Sequence, residues 1–144
     1  MLAAAGLLGC GSADNGAPPA AITHTVGGTV SGLAGTGLVL RNNGTDDLAI
    51  AADGTFVFGT PTASGAAYAV TVFEQPTAPS QTCTVTDGAG SIGSANVGSV
   101  SIHCTTNSFS IGGTVSGLAG TGLVLRNNGT DDLAIAADGT FVFG

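Results

Sequence analysis

From Ile22 onward, apolar residues recur at every second position, in short runs separated by glycine or by Asn/Asp clusters. That period belongs to half-buried strands, not to helices. It predicts strands over residues 25–31, 37–41, 47–51, 55–58, 67–73, 82–86 and 97–104. Parity within each run then assigns the faces. Val26, Val30, Leu38, Leu40, Leu48, Ile50, Phe56, Phe58, Tyr68, Val70, Val72, Val85, Val100 and Ile102 point toward a core. Thr29, Val39, Arg41, Ala49, Val57, Thr71, Phe73, Thr84 and Ser101 point outward. Asn42-Asn43-Gly44 and Ala52-Asp53-Gly54 join apolar runs through residues that tolerate positive φ, so both read as hairpin connections. Ser64-Gly65, after Pro61, marks the approach to the Tyr68 strand. The expected fold is all-β: an antiparallel seven-strand β-sandwich of Ig-like or transthyretin-like type.

A repeat overlies this pattern. Residues 27–59 recur without a change at 112–144, offset by 85 positions, which is the mark of a tandem array whose last unit is cut short. The implied organisation is a signal-like segment at 1–10, a tether at 11–21, a complete sandwich unit at 22–104 and the first half of a second unit at 105–144. The later strands, 67–104, are thus flanked by two identical partner halves. Core contacts with either are nearly equal, and the loop-closure difference is below about 1 kcal/mol. A mixture or a domain-swapped assembly is therefore expected, with the first copy favoured.

Composition narrows the role. Charged residues make up 8% of the chain, lysine is absent, and Arg41 and Arg126 are the only cations besides two histidines against a net charge of −7. Nothing is available to neutralise a phosphate backbone or an anionic lipid surface, so nucleic acid is not an expected partner. A surface built from Thr, Ser, Asn and Gly suits an exported β-module.

The start of the chain is apolar through Leu8 and continues Leu7-Leu8-Gly9-Cys10, which resembles the lipobox of bacterial lipoproteins. By that resemblance Cys10 is the diacylated anchor. No Lys or Arg precedes the short apolar run, so the alternatives are a start further upstream or an ordinary apolar N-terminus with a free thiol. Residues 11–21, rich in Gly, Ser, Asn, Asp and Pro, read as a flexible spacer holding the folded unit off a membrane.

Cys83 shares parity with Val85, and Cys104 with Val100 and Ile102, so both sulfurs point inward. Export implies a disulfide between them; a reducing compartment implies two buried thiols. Residues 88–93 spell the dinucleotide fingerprint GxGxxG, but no helix follows to hold a pyrophosphate, and the glycines read as a tight connection. Asp46, Asp47 and Asp53, with Asn42 and Asn43, gather oxygen ligands and are weak calcium candidates, although their spacing matches no known calcium loop and turn chemistry accounts for them equally. His24 and His103 read as solvated or locally hydrogen-bonded. No catalytic residue and no cofactor is expected.

The succession Gly28-Thr29-Val30-Ser31-Gly32-Leu33, Gly37-Leu38-Val39-Leu40, Ala52-Asp53-Gly54-Thr55-Phe56-Val57-Phe58 and Tyr68-Ala69-Val70-Thr71-Val72 resembles the transthyretin-like sandwiches of carboxypeptidase regulatory domains and the Cna B-type repeats of surface proteins. With Cys83 and Cys104 added, it is similar to tandem repeats of bacterial surface lipoproteins. The resemblance implies a non-catalytic, lipid-anchored module in the cell envelope, on an outer membrane, serving as stalk, spacer or adhesin-like domain. Its partners would be the lipid at Cys10, neighbouring repeat units and an unidentified protein or glycan. The Lys–Asn isopeptide bond of the Cna B-type group is excluded here by the absence of lysine. The alternatives are a carbohydrate- or calcium-binding sandwich, or an accessory region of a larger exported enzyme.

Overall fold

The computed structural model describes residues 16–144, so Cys10 and the signal-like segment lie outside the described residues. Residues 16–21 are exposed and carry no regular structure. The unit that follows comprises β1 (Thr23–His24), β2 (Val26–Ser31), β3 (Leu38–Asn42), β4 (Asp46–Ile50), β5 (Gly54–Val57), β6 (Thr62–Ala63), β7 (Ala67–Glu74), β8 (Gln81–Thr86), β9 (Ala89–Ser91) and β10 (Val97–Thr106). All seven strands expected from the alternation are present, with ends displaced by at most two residues.

Two four-stranded sheets form the sandwich, one ordered β5-β2-β10-β8 and the other β4-β3-β7-β9, with β1 and β6 paired as a separate short ribbon. The inward parity set makes the core. Val26, Leu38, Leu40, Ile102, Val100 and Phe58 are almost wholly buried, and Leu48, Ile50, Val72 and Val85 pack against them half-buried. Each large aliphatic side chain buried in this way contributes about 1.5–3 kcal/mol. Phe56 and Phe58 meet edge to face at 5.8 Å.

Three features depart from the expected plan. The sheets are not purely antiparallel, because β10 lies parallel to β2, with Val97 opposite Val26 and His103 opposite Ser31. An eighth strand, β9, comes from the glycine-rich 88–93 segment and pairs with β7. The connection through Asp53 is no hairpin: β4 and β5 belong to opposite sheets, so the chain crosses the sandwich there. Alternation placed Ile50 and Phe56 inward without saying on which sheet; they lie on opposite sheets and line one cleft between them, which requires a crossover. The Asn43-Gly44 turn, by contrast, closes the β3–β4 hairpin, with φ of 50° and 75° at those two residues.

The repeated half forms β11 (Gly112–Val115), β12 (Leu123–Asn127), β13 (Asp131–Ile135) and β14 (Gly139–Val142), joined in two ribbons, β11–β14 and β12–β13. Their registers copy β2–β5 and β3–β4 residue for residue: Gly113 faces Phe141 as Gly28 faces Phe56, and Leu125 faces Leu133 as Leu40 faces Leu48. Burial does not follow. No residue from Thr105 onward is buried, and Leu123, Leu125 and Phe143 are half-exposed where Leu38, Leu40 and Phe58 are covered.

The parallel β2–β10 pair also decides which copy completes the sandwich. For the second copy to replace the first within one chain, Ile111 must lie beside Val97, as Val26 does. That is nine residues back from Thr106, a distance of about 30 Å at 3.3 Å per residue. The linker from Thr106 to Ile111 spans about 18 Å when fully extended. An intrachain mixture is therefore excluded while β10 is intact, whatever the equality of the core contacts.

Candidate functional site

The polar chemistry of the unit converges on the end of the sandwich where β2 and β10 both finish and β8 begins. Cys83 and Cys104 are direct cross-strand partners on β8 and β10, with Cα atoms 3.9 Å apart and a disulfide joining them. The bond is inter-strand within one sheet, and both residues are buried, as their parity required. Gln75 closes the outer edge of β8 at the same residue: its Oε1 accepts from Cys83 N at 2.7 Å and its Nε2 donates to Cys83 O at 3.1 Å.

Beside the disulfide, Gln81 is buried with its amide fully used. Its Oε1 accepts from Ala34 N and Gly35 N, both at 2.8 Å, while its Nε2 donates to Gly32 O at 2.8 Å and Thr106 Oγ1 at 3.2 Å. One side chain thus ties the loop after β2 to the end of β10. Asn107 extends the unit past residue 104, donating from its backbone to Ser80 O at 2.9 Å and accepting from the Thr82 hydroxyl at 2.8 Å. At the opposite end Asn96 Oδ1 accepts from Thr25 N at 3.0 Å, and Val97 N donates to Thr25 O at 2.9 Å.

The carboxylates singled out from the sequence are not brought together. Asp53 accepts from Gly32 N at 3.0 Å and Leu33 N at 2.7 Å, clamping the crossover to the end of β2. Asp46 accepts from Thr60 N at 3.1 Å. Asp47 sits opposite Arg41 across the β3–β4 ladder and takes two hydrogen bonds from its guanidinium, at 2.5 and 2.7 Å. Those bonds hold the Asp47 carboxyl below the usual carboxylate range and raise Arg41, with desolvation opposing both. The guanidinium also stacks on the Phe73 ring, 3.3 Å from its centre. Among the described residues no three His, Cys, Asp or Glu side chains form a metal-ligating group.

The GxGxxG letters sit on an edge strand, and close packing explains two of the glycines. A Cβ on Gly90 would stand 2.9 Å from the Tyr68 hydroxyl, and one on Gly88 would stand 2.5 Å from a Val85 methyl. His103 Nδ1 lies 3.2 Å from Ser31 Oγ, a local hydrogen bond, whereas the half-buried His24 ring finds no partner for Nε2 among the described residues. One cleft, about 250 Å³, opens between the sheets where β4 and β5 part, and Val30, Leu48, Ile50 and Phe56 line it without a charged side chain.

Gln75, Gln81 and Asn42 are the residues the alternation did not flag. Asn42, buried, accepts from Ala69 N at 3.2 Å, and a polar residue at an inward position was the signal that could have found it. Gln81 begins a strand in phase with Cys83 and offers the same clue. Apart from the Gln81 bond to the Thr106 hydroxyl, these groups spend their hydrogen bonds on main chain, which ties segments of the unit together. Compared with protein-family models, curated proteins and solved structures, the chain matches none.

Proposed function

We propose that this chain is a non-catalytic, lipid-anchored module of a bacterial cell surface, held through Cys10 and working as a stalk or spacer under tension, in the manner of the transthyretin-like and Cna B-type repeats it resembles. The observation that carries this reading is the parallel β2–β10 pair. The chain enters the unit through the two-residue β1, directly before β2, and leaves at the end of β10, and β2 and β10 are neighbours in one sheet. A pull between the tether and the exit therefore slides the two strands past each other. All ladder bonds share the load at once instead of breaking singly. The exit end of β10 is the end held by the disulfide, Gln81 and Asn107.

Single-molecule pulling on the full chain tests this. Handles at residues 22 and 107 load the pair in shear, whereas handles at 33 and 107 peel it from one end. The expected result is a clearly higher rupture force for the first geometry. Equal forces in the two geometries overturn the load-bearing reading.

A further inference from the structure

The repeated half is shaped around the segment that covers it in the first unit, and it keeps that shape where none of the described residues covers it. Three glycines show the fit. A Cβ on Gly28 would lie 1.8 Å from Val100 O, one on Gly32 2.3 Å from Cys104 O, and one on Gly35 2.5 Å from Pro79 O. All three contacts are to backbone of residues 62–107. At the matching positions Gly117 and Gly120 none of the described residues stands within 4 Å, and at Gly113 the Phe141 ring alone among them does, at 3.1 Å. The apolar rows match too: Leu123, Leu125, Leu133, Ile135, Phe141 and Phe143 repeat the residues that face the covering segment, and here they are half-exposed.

The covering segment is self-contained. Both cysteines lie within residues 62–107, so the staple travels with it, and the acceptor half contains no cysteine. The short Thr106–Ile111 linker bars it from the acceptor of its own chain, as shown above, but places no such limit on the acceptor of another.

We propose that residues 112–144 are a docking surface for residues 62–107 of a second copy of this chain, so that chains join by exchanging this segment. The inference is independent of the surface role proposed above. Contacts made by residues 27–59 are all available in the exchanged unit, since the 33 acceptor residues are identical, and only those of residues 22–26, β1 among them, have no identical counterpart before the second copy. The closed chain prevails in dilute solution because its own first acceptor is presented at an effective concentration in roughly the millimolar range. Closing that first acceptor removes the competition.

Gly28→Val in the full chain does so, because its side chain collides with the β10 backbone, and Gly113→Val closes the second acceptor in the same way. Light scattering after size exclusion is expected to show wild type and Gly113→Val as monomers at micromolar concentration. Gly28→Val is expected to form a closed dimer or longer chains whose mass rises with concentration. The double variant Gly28→Val/Gly113→Val should lose that species. In mixed isotope-labelled Gly28→Val carrying Ser101→Cys and Thr114→Cys, the 101–114 crosslink should join heavy to light chains. A Gly28→Val protein that stays monomeric at every concentration overturns the proposal, and so does a double variant that associates equally well.

Discussion

Replacing Gln81 by alanine removes the one side chain that binds the 32–35 loop to the end of β10. Three main-chain groups lose their partner: the Gly35 amide, whose bond is buried, and the Ala34 amide and Gly32 carbonyl, whose bonds are part-buried. A buried group left unsatisfied costs about 1–3 kcal/mol, and the two that water reaches cost about half that each. Loss of the side-chain methylene adds about 0.8 kcal/mol. The expected destabilisation is about 3–7 kcal/mol, a large part of the roughly 5–15 kcal/mol that holds a domain together. Gln81→Glu separates hydrogen bonding from packing. Its carboxylate keeps the two amide donors but turns an oxygen toward the Gly32 carbonyl, so burial and repulsion raise its folded pKa above the unfolded value near 4.3. Stability in that variant is then greatest below the unfolded pKa and falls as pH rises through the folded one. Denaturant unfolding can be followed by Tyr68 fluorescence, since the chain has one tyrosine, in the first unit, and no tryptophan. Hydrogen exchange supplies the local readout: Ala34 and Gly35 amides should lose protection, while Ala119 and Gly120, the same residues in the uncovered copy, stay unchanged. A loss under about 0.5 kcal/mol in Gln81→Ala, with Ala34 and Gly35 still protected, would refute the clamp.

Four further outcomes are expected, three from the geometry and one from the Cys10 motif. Cys83→Ser/Cys104→Ser should lower stability by about 3 kcal/mol through the loop of 21 residues the bond closes, and a change below about 1 kcal/mol would contradict the loop-entropy account. In pulling experiments, reduction should lengthen the unravelled chain by about 70 Å, the extended length of those 21 residues, and an unchanged length would mean the bond is not formed. Arg41→Gln should raise the titration midpoint of Asp47 observed by carbonyl NMR, because the hydrogen bonds that favour its carboxylate are gone; the contribution of the pair is present above the ordinary carboxylate range and lost as pH falls through the depressed midpoint. Cys10→Ser should move the expressed protein from the membrane fraction to the soluble fraction, and retention at the membrane would count against the anchor.

The two copies of one sequence separate what is local from what is not. Residues 27–59 and 112–144 make the same ladders in the same register, and the bidentate Arg–Asp pair forms in both, at Arg41–Asp47 and Arg126–Asp132. Alternation and turn residues determine these features, since each depends on a side of a strand or on backbone φ at a turn. The environment of the pair does not repeat: the Arg41 side chain is 26% exposed and the Arg126 side chain 61%, because Phe73 lies over the first alone. The inward parity of Leu38 or Phe58 was legible in the chain; that these residues are buried, and that Leu123 and Phe143 are not, was decided by the segment folded over them. The parallel β2–β10 pair, the crossover at Asp53 and the Gln81 clamp were likewise tertiary decisions. Periodicity tells which face of a strand is apolar but not which strand lies opposite. Gln81 is 46 residues from Gly35, and no pattern within a strand foretells a bond across that distance.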